Sequence, residues 1–109
     1  MEYSLSTQFF FELLGTLVLV LMGDGVCACC SLNKSKGQGG GWIVITFAWG
    51  FAVMCGVLLA GPYTGAHLNP AVSVGLAIAG LFDWALVPCY VAAQMIGGFL
   101  GAVLVWAFY

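Results

Sequence analysis

Three long apolar runs, at about residues 9–30, 42–59 and 84–109, restrict this 109-residue chain to very few folds. Each is long enough to cross a bilayer. At 1.5 Å per residue even the shortest reaches ~27 Å, close to the hydrocarbon thickness. Only 6% of the residues are charged while 63% are hydrophobic, and a soluble domain of this size needs far more charge to cover its surface. The expected class is an all-α membrane protein whose spans satisfy their own backbone. Two lysines and no arginine leave no basic patch, which excludes nucleic acid as a partner. Met1, Glu2, Tyr3 and Ser4 form no basic leader, and the apolar run after them exceeds a signal-peptide core, so it is read as a retained span.

Polar and aromatic residues mark the ends of the runs. Residues 31–41 form a glycine-rich loop that carries both lysines, Lys34 and Lys36. Trp42, Tyr63, Trp84, Trp106 and Tyr109 are placed to sit near lipid headgroups. Five cysteines, Cys27, Cys29, Cys30, Cys55 and Cys89, are odd in number and lie in or beside apolar runs. They read as small polarisable packing residues rather than a disulfide framework. No histidine or carboxylate stands near Cys27 and Cys30 at ligand spacing, so neither metal nor cofactor is expected.

The stretch between the second and third runs carries the most information. Residues 60–68 contain two glycines, a proline and a histidine, which predicts a break in helix. Residues 70–79 are apolar again, but at ~15 Å they cross only half a bilayer. A short apolar helix entered through irregular chain is a re-entrant segment. Such backbone survives at membrane depth only when packed in protein or lining a wet cavity. In the third run Ala93, Gly97 and Gly101 recur at four-residue spacing and let another helix approach closely. Gly15 and Gly23 in the first run, and Gly50 and Gly56 in the second, offer similar approach points.

Asn69 and Pro70 make a strong helix start, as N-cap and first helical residue. A half-helix beginning at mid-membrane aims its free N–H groups and positive dipole end at the bilayer centre. Asn69 can spend its side-chain oxygen on the cap and turn its NH₂ toward a solute. Gly65, Ala66 and His67 can offer carbonyl acceptors along an extended strand. Donor, acceptors and positive dipole together suit a neutral polar solute and oppose cations and protons. The plainer alternative for an isolated Asn-Pro pair is an ordinary capped turn. His67, the single histidine, is read as fixing the loop, with a pH sensor or a metal ligand as alternatives.

The run Gly65, Ala66, His67, Leu68, Asn69, Pro70, Ala71, Val72 resembles the first Asn-Pro-Ala loop of the major intrinsic proteins, the aquaporins and glycerol facilitators. The likeness extends to Glu12 through Thr16 in the first run, to Trp49 and Gly50 in the second, and to Gln94 through Gly98 in the third. The resemblance implies one inverted-repeat half of that fold, three spans and a re-entrant half-helix. It makes Asn69 the pore asparagine, within an Asn69, Pro70, Ala71 motif, and Trp49 a residue of the outer selectivity filter. Tryptophan there resembles the glycerol-conducting branch, since an indole face suits the CH edge of a polyol. Lipid-facing bulk is the alternative for Trp49. Glu12 resembles the family's buried glutamate that braces a re-entrant loop, with an interfacial glutamate as the alternative. Leu19, at helical spacing from Gly15 and Gly23, and Val53, one turn beyond Trp49, are expected as pore-wall residues, with Gly50 and Gln94 as structural support.

The implied activity is passive passage of glycerol, small neutral polyols and water, with no enzyme chemistry, through a multi-pass protein of the plasma membrane that forms family-type tetramers. One half alone contains neither a second Asn-Pro-Ala loop nor a filter arginine. A complementary half is therefore expected, from a second chain or an inverted copy. The family topology places the lysine loop outside, against the positive-inside tendency of its two lysines. Two other classes remain: a non-conducting half-channel or assembly partner of a full-length channel, and a metal or redox protein using Cys27, Cys29 and Cys30.

Overall fold

In the computed structural model, which describes residues 3–109, the chain forms four α-helices joined by short irregular segments. The expectation for the start of the chain at Met1 and Glu2 lies outside the described residues. α1 spans Leu5–Ser31, α2 Trp42–Thr64, α3 Pro70–Ile78 and α4 Val87–Phe108, with a 3₁₀ turn at Trp84–Leu86 leading into α4. α1, α2 and the Trp84–Phe108 segment are each long and apolar enough to cross a membrane. The longest dimension of the bundle is 46 Å, matching ~40–45 Å for a bilayer with its headgroups.

Helix ends fall where capping chemistry puts them, and hydropathy alone misplaces them. α1 starts at Leu5, ahead of the apolar run, because the Ser4 hydroxyl accepts from Thr7 N at 3.2 Å. α2 continues to Thr64, past the break expected at residue 60, even though Pro62 lies inside it. The proline costs one hydrogen bond near the end of the helix. The Thr64 hydroxyl reaches the Ala60 carbonyl at 3.2 Å, and left-handed Gly65 donates to the Gly61 carbonyl at 3.0 Å. Between α2 and α3 only the segment from Gly65 to Asn69 is irregular. In the turn before α4, Asp83 Oδ1 accepts from Ala85 N at 3.0 Å.

Small residues set the packing. A Cβ on Gly97 would collide with the Leu13 carbonyl, and one on Gly101 would lie 2.8 Å from the Leu17 carbonyl oxygen. The Ala93, Gly97, Gly101 stripe thus seats α4 directly on the backbone of α1. α1 meets α2 where Gly15 faces Gly56 and where the Trp49 ring covers Gly23. Gly50 is different: nothing lies within 4 Å of its Cβ position, and it borders a shallow apolar depression with Phe47, Phe51 and Met54. Of Gly50 and Gly56, only Gly56 is an approach point within these residues.

The outside of the bundle is as apolar as its seams. Phe47, Phe51, Phe99 and Trp106 are exposed, as lipid rather than water demands. Trp42, Trp84 and Tyr109 are exposed near helix ends. Tyr63 departs from that pattern, because its ring stacks on Phe11 with centroids 3.8 Å apart.

Candidate functional site

The site is assembled around one carboxylate. Glu12 is fully buried and accepts four hydrogen bonds from three other parts of the chain. Oε1 receives the Thr64 hydroxyl at 2.8 Å and His67 N at 2.9 Å. Oε2 receives Leu68 N at 3.0 Å and Gln94 Nε2 at 2.8 Å. Four donors fill the acceptor sites of a carboxylate, which is what a buried carboxylate in an apolar surround requires. Glu12 therefore lies inside the bundle, bracing the re-entrant loop, and not at an interface with headgroups.

The loop it holds is strained in a specific way. Ala66 and Leu68 have φ of 53° and 56°, and Gly65 has φ of 80°. Only glycine adopts such angles freely, and each non-glycine residue there costs about 1–2 kcal/mol. Compensation is local: Ala66 N donates to the Thr64 hydroxyl at 2.9 Å, and His67 N and Leu68 N reach Glu12. The expected extended strand is therefore corrected to a chain with left-handed residues, which interrupt the carbonyl alternation of a strand. Among the described residues, no donor engages the carbonyls of Gly65, Ala66 or His67. They remain available as acceptors.

Leu68 is the mechanical anchor of the loop. Its side chain is buried and enters the gap between Gly15 and Gly56, where an added Cβ on either would lie 2.7 Å from a Leu68 methyl. Just beyond it, Asn69 caps α3. Its Oδ1 accepts from Ala71 N at 2.8 Å, and its carbonyl accepts from Val72 N and Ser73 N. With Oδ1 committed, the NH₂ of Asn69 is the free polar group. It stands on an exposed residue at the positive end of a nine-residue helix that starts with Pro70.

A second tier supports the loop from α4. Gln94 Nε2 bonds Ser73 Oγ at 3.0 Å as well as Glu12, and Ser73 Oγ lies 2.8 Å from His67 Nδ1. The His67 ring is half-buried and edge-on to Phe82, with centroids 4.4 Å apart. Tyr90 donates to the Thr64 carbonyl at 2.9 Å. Below the loop, a cavity of about 500 Å³ is bordered by Gln8, Thr64, Gly65, Asp83 and Tyr90. Polar groups converge there in a chain that is otherwise almost wholly apolar.

Trp49 and the wall residues occupy α1 and α2. The Trp49 ring lies on Gly23 and its Nε1 donates to Cys27 Sγ at 3.2 Å. Its N–H is thereby engaged within the protein, and the rest of the indole is an apolar plate. Leu19 is half-buried on α1 between Gly15 and Gly23, and Val53 is exposed on α2. All five cysteines are free thiols.

Gln94, Glu12, His67 and Asn69 are thus brought together, while Trp49, Val53 and Leu19 stand apart from that cluster. Thr64, Leu68, Ser73 and Tyr90 belong to the site and were not anticipated. Each had a faint signal: hydroxyls in apolar surroundings need partners, and an apolar residue inside a polar loop needs a socket.

A buried acid bracing a re-entrant, asparagine-capped half-helix defines a class of membrane proteins with paired half-helices. The model of the major intrinsic protein family matches residues 1–109. The chain is 52% identical over 109 residues to glycerol uptake facilitator protein 3 of Lactiplantibacillus plantarum, covering all of this chain and 45% of that protein. It is 53% identical over 98 residues to a probable glycerol uptake facilitator protein of Thermotoga maritima, covering 90% of this chain and 42% of that protein. Among solved structures, the Plasmodium falciparum aquaglyceroporin superposes with a TM-score of 0.85 at 37% identity, over 97% of this chain and 43% of that one.

The chain belongs to the major intrinsic protein family, and it matches the N-terminal half of that fold. It spans less than half the length of these relatives. Members of the family are multi-pass membrane proteins that act as passive channels, not as enzymes.

Proposed function

We propose that this chain forms half of a pore for glycerol, small neutral polyols and water in the plasma membrane. The observation that carries this is the Glu12-braced loop. Among the described residues it leaves the Gly65, Ala66 and His67 carbonyls without donors and the Asn69 NH₂ without an acceptor, in the segment that leads into α3. A polyol hydroxyl is both donor and acceptor, so it can exchange water for these groups one at a time. The positive end of α3 repels cations, and no charged side chain is needed to hold the solute. The glycerol facilitators and aquaglyceroporin to which the chain is similar support the choice of solute.

The pore needs a second half, from another chain or an inverted copy, because the α3 N-terminus otherwise faces lipid with its polar groups unmatched. Completed pores assemble as tetramers of the family type. In this arrangement Trp49 forms the apolar wall of the filter, Leu19 and Val53 extend it, and Asn69 holds the solute at the constriction. Stopped-flow light scattering on proteoliposomes with the completed channel tests the proposal. Glycerol equilibration faster than in empty vesicles, and slowed by Asn69→Leu, is expected. Equilibration no faster than in empty vesicles would point instead to a non-conducting partner of a full-length channel.

A further inference from the structure

We infer that Gln94 and Ser73 are positioning residues that lock the single proton of the His67 ring on Nε2. The inference follows the direction of hydrogen bonds outward from Glu12 and rests on the pore reading only for its consequence. Glu12 is an acceptor, so Gln94 must turn its NH₂ toward Oε2, at 2.8 Å. The opposite amide orientation would put two acceptors in contact. Gln94 Oε1 is consequently left buried without a partner among the described residues, a cost accepted to serve the carboxylate.

The second N–H of Gln94 then donates to Ser73 Oγ at 3.0 Å. Ser73 has one proton of its own, and the only other group at its oxygen among the described residues is His67 Nδ1, at 2.8 Å. Ser73 donates to Nδ1, so Nδ1 carries the lone pair and Nε2 carries the hydrogen. In the reverse tautomer, Ser73 would accept from both Gln94 and His67, and its buried hydroxyl proton would have no acceptor. The penalty for an unmade buried hydrogen bond biases the equilibrium by about tenfold or more.

On the pore reading, the consequence concerns which imidazole nitrogen is left without a protein partner. Phe82 and Tyr90 pack against the ring, and Nε2 has no protein partner among the described residues. The half-buried ring therefore presents an N–H donor and hides its one lone pair against Ser73. A histidine beside a file of water would otherwise offer an open basic nitrogen to passing protons.

One histidine per chain makes the test direct. Solid-state ¹⁵N spectra of the full chain in lipid bilayers, labelled at histidine, distinguish the two ring nitrogens. The expected wild-type spectrum has a protonated Nε2 and an unprotonated, hydrogen-bonded Nδ1. Ser73→Thr keeps the hydroxyl and should preserve it. Gln94→Met removes the donor that orients Ser73, and both tautomers should then appear, with the minor form rising at least about threefold. A wild-type ring protonated at Nδ1 overturns the inference without any variant. So does a tautomer ratio unchanged in Gln94→Met. No solute flux enters this readout, so its failure leaves the pore reading intact, and a non-conducting chain leaves the tautomer assignment intact.

Discussion

Glu12 is the residue on which the rest of the site depends. It joins the end of α2, the loop residues His67 and left-handed Leu68, and α4 through four hydrogen bonds. Glu12→Leu would strand two backbone N–H groups and one N–H of the Gln94 amide without acceptors, and leave the Thr64 hydroxyl only the Ala60 carbonyl. The expected loss of stability is about 3–5 kcal/mol, the range for removing one member of a buried charged network. Thermal unfolding in detergent checks it, and an unchanged midpoint would contradict the network. Trp49 makes a different kind of contribution. With its N–H held by Cys27, it limits solute width in the proposed pore as an apolar plate. Trp49→Ala should raise the permeability of larger polyols relative to glycerol, measured as a ratio of initial rates.

The importance of Glu12 was legible in sequence because a lone carboxylate in an apolar run must find partners. Which partners it found was not legible. Thr64 and Gln94 lie far from Glu12 in the chain, and their convergence requires the helix packing to be known. Leu68 escaped notice because its socket is made by two glycines on different helices.

At the scale of the elements, spans and half-helix were readable from apolar length and from the Asn69, Pro70 start. Their ends were not. Ser4 lengthens α1, and the Thr64 and Gly65 caps carry α2 through Pro62. Hydropathy counts apolar residues, whereas a helix ends where its last carbonyls and first N–H groups find partners. The glycine stripe of α4 was readable as a periodicity, but the partner helix was not. Gly97 and Gly50 separate contact from composition. Gly97→Val should force α4 off the Leu13 carbonyl and cost about 1–3 kcal/mol. Gly50→Ala, with open space at its Cβ position, should be neutral within about 0.5 kcal/mol. Paired thermal melts check both, and equal losses would show that this seam does not hold the bundle.

The whole molecule is a half-fold in its proportions: three full spans, one half-span, and an Asn69 N-cap whose NH₂ has no partner among the described residues. If the second half is an inverted copy, the 31–41 loop must face both sides of the membrane, since the weak charge of two lysines permits either insertion. A cysteine placed in that loop, in a background with the native cysteines replaced, should then be labelled from outside in roughly half of the chains in intact cells. A single orientation with no companion chain bound would exclude the inverted pair.

The central claim is that the loop and Asn69 pass neutral polar solutes and reject charge. It is tested most directly by measuring glycerol and proton permeability in the same proteoliposomes, which hold the completed channel and an internal pH dye. The expected result is glycerol flux well above that of empty vesicles, with proton leak equal to theirs. Proton leak rising in step with glycerol flux, or glycerol flux no greater than in empty vesicles, would contradict it.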